Sequence, residues 1–292
     1  MKTAILVYVD HNSQMVEEFF WLFKSVIHSR VLDGGGALIV VCHPDVANRL
    51  PDDPRLIVMP EVPHAESHPE WAGYPYINSV ANLSRPAVLD ACAGFDQVLK
   101  TDCDTFVTPA LARFEPTGLC FGFGAYAYED AVRRKLVECS ARWGFPHAGL
   151  HNVGASVLGP SEMVRHFLVA QMAYCDRLLA EEFTALEGQW PGWCKNVLTM
   201  YAGELALRQT YPQQCSLGLL DHFPSASRRL GGDVLHIHAW HTDHYFSKHA
   251  FRAGEYDGID PAKIDRGTLA GYCHWLAVAN LHEVEPAPAL AG

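Results

Sequence analysis

The opening of the chain contains the pattern that most constrains its fold. Residues 3–9 read TAILVYV, an apolar and β-rich run without polar alternation, which is typical of a strand buried on both faces of a parallel sheet. A helix is predicted to follow, from an N-cap at Ser13 to about Arg30, with its apolar residues mainly on one face. Apolar runs at Ala37–Cys42 and Arg55–Met59 predict two further strands. This strand–helix–strand order predicts an α/β fold with a mostly parallel, doubly wound central sheet flanked by helices.

Composition narrows the class of protein. The chain has 292 residues, of which 49% are hydrophobic and 19% charged, as in ordinary globular proteins. We find no internal repeat and no linker, so we predict one domain over residues 1–282 and a flexible tail, EVEPAPALAG, over residues 283–292. The formal net charge of −11 argues against a broad nucleic-acid surface, which needs clustered Lys and Arg.

Cysteine usage and the N-terminus indicate a compartment. Nine cysteines without CxxC pairs are an odd number and predict no disulfide framework, which favours a reducing cytoplasm. The segment MKTAILVYVD is too short for a signal sequence, and no apolar run approaches the roughly 20 residues of a spanning helix. We therefore expect a cytoplasmic protein without a membrane span. The sequence leaves its oligomeric state open.

Two aspartates in the segment Phe95–Pro109, FDQVLKTDCDTFVTP, form the strongest chemical signal. Side chains two residues apart on an extended chain point to the same side, so Asp102 and Asp104 converge while Cys103 turns into the core. Carboxylates at the end of a buried strand suit Mg²⁺ or Mn²⁺, which completes its shell with water and phosphate. The sequence therefore predicts a divalent metal site here.

Further elements frame this segment. A helix is expected over Asn78–Ala93, with a break near Ser84 because Pro86 removes a backbone donor. After the two aspartates the pattern predicts three strands and three helices. They are strands at Leu119–Tyr126 and His151–Leu158 and a His-rich strand within Val234–His249, and helices at Glu129–Trp143, from an N-cap at Ser161, and in the second half of Gln189–Gln209.

Three segments, in order, resemble metal-dependent GT-A-type glycosyltransferases, and are distantly similar to hydroxyproline O-arabinosyltransferase-like proteins. They are Ser84-Arg85-Pro86 leading into VLKTDCD, Met200-Tyr201-Ala202 in a late helix, and a His-rich strand followed by an aromatic segment with a lysine. The chain departs from that family in having Ser before Arg-Pro and a true Asp-Cys-Asp. The resemblance implies a GT-A-like single domain, a nucleotide-sugar donor (a UDP-sugar first), Mn²⁺ or Mg²⁺, and transfer to a hydroxyl acceptor. It does not identify the acceptor.

Within this hypothesis the late histidines offer a third metal ligand. His236 and His238 alternate on one predicted strand face, and His241 and His244 follow them. We expect His236 or His238 to complete a metal site with Asp102 and Asp104, although histidines of this kind also serve structural roles.

Other residues are candidates to bind the donor or to act as the catalytic base. Asp10, at the end of the first strand, is expected to contact the donor's ribose or base. Arg85, Lys100 and Lys248 are candidates to hold phosphate, because cationic side chains bind anionic oxygen. If the reaction inverts the anomeric centre, Glu204 is the first candidate for the base and Asp243 the second. The alternative for Glu204 is a surface pair with Arg208 at i+4.

Three other functions stay open. A sugar-nucleotide pyrophosphorylase or nucleotidyltransferase would carry a Gly-rich, Arg-containing loop after the first strand, where this chain has DHNSQMVEE. A His-cluster metallohydrolase would use HIHAWHTDH as a zinc site and leave Asp-Cys-Asp unexplained. The third is a non-catalytic nucleotide- or sugar-binding module. As acceptors we expect a glycan, a small molecule or a protein side chain, before a modified DNA base.

Overall fold

A computed structural model describes residues 1–147, 149, 151–184, 187–229, 232–239 and 244–288. Its centre is a seven-stranded sheet in the order β3-β2-β1-β4-β7-β6-β8. The strands of this sheet are β1 (Thr3–Val9), β2 (Ala37–Cys42), β3 (Leu56–Pro60), β4 (Gln97–Thr101), β6 (Leu119–Phe123), β7 (Val153–Pro160) and β8 (Cys215–Leu217). All neighbouring pairs are parallel except those of β7, which runs antiparallel to both β4 and β6. The predicted α/β architecture with a mostly parallel central sheet is confirmed.

Helices cover both faces of this sheet. They are α1 (Ser13–Ser29), α2 (His64–Ser67), α3 (Asn78–Ala81), α4 (Pro86–Cys92), α5 (Asp130–Arg142), α6 (Ser161–Glu182), α7 (Leu198–Thr210), α8 (Lys248–Arg252) and α9 (Leu269–Val278). Alternate residues of β1 enter two different apolar clusters, with Ile5 and Val7 packed among residues of α1, and Ala4 and Leu6 among residues of α3 to α7. Since β1 is buried on both faces, its uninterrupted apolar sequence is explained.

A second, two-stranded sheet brings the late part of the chain to the aspartates. It pairs β5 (Thr105–Val107) with β9 (His236–His238) in antiparallel register, with Thr105 opposite His238. A third apolar cluster supports it, in which Phe106 stacks against Trp21 of α1 and lies edge-on to Phe246. The His-rich strand predicted within Val234–His249 is three residues long, and the end of that segment lies in α8 (Lys248–Arg252).

Three local predictions have different outcomes. Pro86 is the first residue of α4, and the break expected near Ser84 is present between α3 and α4. The N-cap of α1 is Asn12, whose side chain accepts from the Gln14 amide, and not Ser13. Ser161 begins α6 without capping it, because its hydroxyl donates instead to the Cys92 carbonyl at 2.8 Å.

The segment that we predicted to be a tail contacts the body of the protein over the part that is described. Val284 is buried in the third apolar cluster, and the Ala287 amide donates to the His28 carbonyl at 2.8 Å. Residues 289–292 lie outside the described residues. Among the helices described, none is both long enough and apolar enough to cross a membrane.

Candidate functional site

A cleft of about 620 Å³ opens at the carboxyl edge of β1 and β4. Ligands of open α/β sheets bind at this kind of edge, since the loops after parallel strands meet there. The lining residues come from the end of β1, the loop before α3, the first turns of α1, the β4–β5 turn and the end of β9. They include Asp10, His11, Asn12, Glu18, Tyr76, Asp102, Asp104 and His238.

Asp102, Asp104 and His238 form a cluster at this cleft. Each offers one ligand atom, and these atoms all lie within 4.8 Å of one another. His238 Nε2 is 3.2 Å from Asp104 Oδ1. The expected proximity of the late histidines and the two aspartates is thus present in the structure. The donor set, two carboxylates and one imidazole, is one that Mn²⁺ accepts.

The backbone holds the Asp-Cys-Asp turn in place. Thr105 Oγ1 donates to the Asp102 carbonyl at 2.8 Å, and the Ala239 amide donates to the Asp104 carbonyl at 2.9 Å. Cys103 points inward as predicted, where it is buried and its thiol donates to the Tyr8 carbonyl at 3.1 Å. Both carboxylates are therefore presented on the cleft side of the turn.

Cations surround Asp104. Lys248 Nζ donates to Asp104 Oδ2 at 2.5 Å. Burial alone would raise the pKa of Asp104, but His238 and Lys248 outweigh it and hold that pKa well below its ordinary value. Burial opposes protonation of His238, yet attraction to Asp104 raises the pKa of His238 to about 9. Asp104 is therefore an ionised carboxylate with two cationic neighbours, His238 and Lys248.

Glu18 also lines the cleft, and its pKa is shifted in the opposite direction to that of Asp104. Burial, followed by repulsion from Asp104, raises the pKa of Glu18 to about 7, although Arg252 lowers it through an ion pair. Sequence analysis missed Glu18 because its position in α1 resembles that of any acidic residue early in a helix. It missed Tyr76 too, a 62% exposed ring that also lines the cleft.

Of the residues assigned to the donor, Asp10 and Lys248 lie at the site. Asp10 lines the cleft, and its carboxylate accepts from the His11 amide at 2.7 Å and from Asn78 Nδ2 at 3.3 Å. Lys100 is nearly buried beneath the site, with Nζ donating to the Ala155 carbonyl at 3.0 Å and to Asp102 Oδ1 at 3.4 Å.

The structure does not bring Arg85 to this cleft. Its guanidinium pairs with Glu61 after β3 and donates to the Val62 carbonyl at 3.1 Å. Arg85 is not among the residues that line the cleft. The structure therefore gives it a partner within the protein and no place beside the acidic cluster.

His236 is likewise outside the acidic cluster. It is fully buried, with Nδ1 2.5 Å from Asp221 Oδ1 and Nε2 2.9 Å from Thr101 Oγ1, so both nitrogens have protein partners. We expected His236 or His238 to join the two aspartates, and the structure brings only His238 to them, because Asp221 and Thr101 occupy both ring nitrogens of His236. Attraction to His236, against the effect of burial, lowers the pKa of Asp221.

Glu204 lies in a different buried network. It has no exposed surface, and its carboxylate accepts from the amides of His151 at 2.9 Å and Asn152 at 2.8 Å and from the Tyr126 hydroxyl at 3.0 Å. The expected pair with Arg208 is present at 3.3 Å, but it is buried and not on a surface. Although burial opposes it, the rings of His147 and His151, with nitrogens 3.5 and 3.4 Å from Oε1, lower the pKa of Glu204. This carboxylate anchors a loop and does not line the acidic cleft.

Two of the remaining predicted residues, Asp243 and His241, lie outside the described residues. His244 is described, and it does not belong to either cluster of possible metal ligands found among the described residues.

The fold and cleft together define an α/β protein with a mixed central sheet and an Asp-Asp-His cluster at its carboxyl edge. The chain belongs to the family described as "Domain of unknown function (DUF7164)", and the match spans residues 1–277. No curated protein matches the chain.

Proposed function

We propose that this protein is a metal-dependent glycosyltransferase of the GT-A type. It transfers a sugar from a nucleotide-diphosphate donor, a UDP-sugar first, to a hydroxyl acceptor. The observation that carries this proposal is the convergence of Asp102, Asp104 and His238 in a cleft that Asp10 and Tyr76 also line. A volume of about 620 Å³ falls in the range of small-molecule sites.

The metal fits the chemistry of this cluster. Asp102, Asp104 and His238 would hold Mn²⁺ or Mg²⁺, with His238 giving up its proton, and the oxygen-rich set leaves positions for phosphate oxygens. Such an ion neutralises charge on a departing diphosphate. Pairing of Asp104 with both His238 and Lys248 supports this assignment, because it shows how strongly the site attracts positive charge.

In this proposal two cleft residues, Asp10 and Tyr76, bind the donor, and two buried lysines in contact with the aspartates assist them. Lys248 is the cation closest to Asp104 and exchanges that carboxylate for a diphosphate oxygen. Lys100 stays in place and supports Asp102 from below. Asp10 accepts from ribose hydroxyls or a base, and the Tyr76 ring stacks on the nucleobase or sugar.

The base that would take the acceptor proton in an inverting reaction is not Glu204 in this proposal. Its oxygens are already taken by donors within the protein, and it has no exposed surface. Asp243 stays a prediction from the sequence. A net charge of −11 favours a neutral acceptor, such as a glycan, a small molecule or a protein side chain, over DNA.

The test is a calorimetric titration with UDP, GDP, ADP and CDP, with and without Mn²⁺, on the wild type, Asp104→Asn and a control. Asp90→Asn serves as the control because its side chain is 79% exposed and pairs only loosely with Arg165, at 3.6 Å. We expect one nucleotide to bind only with Mn²⁺, in the wild type and control alike, and at least tenfold more weakly to Asp104→Asn.

Two outcomes would overturn the proposal. One is nucleotide binding that persists in EDTA and in Asp104→Asn. The other is hydrolysis of a substrate by a zinc-loaded protein while no nucleotide binds. Incubation of a radiolabelled donor with glycans, peptides and hydroxylated DNA at two salt concentrations then identifies the acceptor class. Label entering DNA, with uptake falling steeply as salt rises, would contradict the expected neutral acceptor.

A further inference from the structure

A second cluster of metal-ligating side chains lies beside the cleft, and the proposed transfer reaction does not use it. His11 follows β1, His43 directly follows β2, and Glu66 belongs to α2. Their ligand atoms all lie within 4.8 Å of one another. His43 Nε2 is 4.0 Å from Glu66 Oε2, and the two imidazole rings have centroids 4.6 Å apart.

Each histidine has a carboxylate beside the ring nitrogen that faces away from the cluster. His11 Nδ1 lies 2.8 Å from Asp10 Oδ1, which fixes the Nδ1–H tautomer and leaves the lone pair on Nε2. His43 Nδ1 accepts the Asp45 amide at 3.1 Å, and Asp45 Oδ2 is 3.7 Å from that same nitrogen. With Nδ1 accepting this amide, the neutral His43 ring carries its proton on Nε2, so a metal at Nε2 requires the proton to move to Nδ1 through solvent and the exposed Asp45 side chain to turn in and accept it. A carboxylate hydrogen-bonded behind a ligand histidine, as Asp10 is behind His11, orients the imidazole at metal centres.

We propose that His11, His43 and Glu66 bind a divalent ion of the zinc type, through His11 Nε2, His43 Nε2 and a Glu66 oxygen. Two imidazoles and one carboxylate are a zinc donor set, whereas the cluster at Asp104 is richer in oxygen and suits Mn²⁺. The two sites therefore differ in the metal they prefer.

The geometry is close to what zinc requires. Zinc–ligand bonds of 2.0–2.1 Å in tetrahedral geometry place the ligand atoms roughly 3.4 Å from one another. The ligand atoms of this cluster, now within 4.8 Å of one another, would therefore have to approach by about 1 Å to bind zinc. The side chains of His11 and Glu66 are 59% and 51% exposed, which leaves them room to move, while that of His43 is only 15% exposed. Three protein ligands leave a fourth position for water or for a ligand atom. His11 also lines the cleft, so this position is next to it.

The test measures Zn²⁺ binding by competition with a chromogenic chelator, in an Asp104→Asn background that disables the other cluster. We expect one Zn²⁺ per chain, with the dissociation constant raised at least tenfold by His43→Ala and by Glu66→Gln. His68→Ala is the matched control: it removes another histidine next to the α2 helix that is not part of the cluster, and it should not change the affinity.

Two further measurements keep the test decisive if a variant folds poorly. X-ray absorption of the zinc-loaded parent should show two imidazoles and only nitrogen or oxygen ligands. In the wild type, Zn²⁺ should shift the imidazole ¹⁵N resonances of His11 and His43 in NMR spectra. Unchanged affinity in both cluster variants, sulfur scattering, or shifts confined to His238 would overturn the proposal. Because Asp104→Asn retains the zinc site, this result is independent of whether the protein transfers sugars.

Discussion

Replacement of Glu204 by glutamine distinguishes a structural carboxylate from a catalytic one. Each oxygen of Glu204 serves two donors: Oε1 accepts from the His151 amide and Arg208, and Oε2 from the Asn152 amide and Tyr126. Glutamine keeps one acceptor oxygen and turns an NH₂ group toward the other pair of donors. Two buried donors then lose their acceptor.

The expected cost follows from those contacts. A hydrogen bond to a charged group contributes about 1.5–3 kcal/mol, and a buried donor left unpaired adds its desolvation cost. We therefore expect Glu204→Gln to lower the free energy of unfolding by about 3–5 kcal/mol at pH 7. That is a large share of the roughly 5–15 kcal/mol typical of a folded protein.

The loss should also depend on pH. The pKa of Glu204 is lower in the folded protein than in the unfolded chain, so the unfolded chain binds the proton first as the pH falls. The stabilisation is complete above the unfolded pKa of about 4.5 and is lost as the pH falls toward the folded pKa. The difference between wild type and variant should therefore be largest near pH 7 and shrink at acid pH.

Urea unfolding at pH 7 and pH 4 measures both effects. Glu181→Gln is the control, since Glu181 is one-third exposed and its pairs with Arg142 and Arg177 should contribute less than about 1 kcal/mol each. Nucleotide binding by Glu204→Gln, measured where it is still folded, should equal that of the wild type. A large fall in kcat with unchanged stability would refute this reasoning and make Glu204 the base.

Three further predictions concern other residues. Tyr76→Ala should weaken nucleotide binding by about 0.5–1.5 kcal/mol, roughly three- to tenfold in Kd, and leave Mn²⁺ affinity unchanged in a fluorescence titration, because the ring provides stacking only. Lys24 Nζ donates to the carbonyls of Ala277 and Ala279, both at 2.9 Å. Lys24→Met should therefore lower the free energy of unfolding by about 1–3 kcal/mol in urea unfolding. A more stable variant would show that the cost of burying the ammonium group is larger than the gain from these two hydrogen bonds. Burial lowers the pKa of His274 to about 4, so below pH 6.5 the unfolded chain binds a proton before the folded protein does. Between pH 6.5 and 4 the free energy of unfolding of the wild type should therefore fall by up to about 3 kcal/mol. His274→Phe should reduce this fall in urea unfolding, and equal pH profiles for the two proteins would contradict the prediction.

The parts of the fold that the sequence predicted were those encoded by local pattern. The apolar run of β1 indicated a strand buried on both faces, and Pro86 marked the start of α4. The direction of β7 was not predictable, because an apolar strand reads the same whether it pairs parallel or antiparallel. Its pairing with β4 and β6 depends on connections that only the complete fold shows.

In the candidate site, too, the features that depend on local spacing were predictable and those that depend on distant residues were not. The two-residue spacing of Asp102 and Asp104 and their position at a strand end were enough to expect convergence. The period of a strand also predicted one face for His236 and His238, but it says nothing of the distant residues that bond each ring, and Asp221 and Thr101 bind both nitrogens of His236. Glu204 was misleading because an i+4 arginine usually indicates a surface, whereas the donors that bury it lie some 50 residues earlier in the chain.

The short β5–β9 pair has a consequence for how the protein is made. Lys248 reaches Asp104 across 144 residues of chain, and the strands that bring the two segments side by side pair over three residues each. Chains emerge from the ribosome from the N-terminus, and contacts between distant residues form slowly. The sheet around β1 and β4 is therefore synthesised well before Asp104 meets its cationic partners. During that interval Asp104 is a carboxylate without its counter-charges, and a divalent ion already bound there would favour the docking of β9.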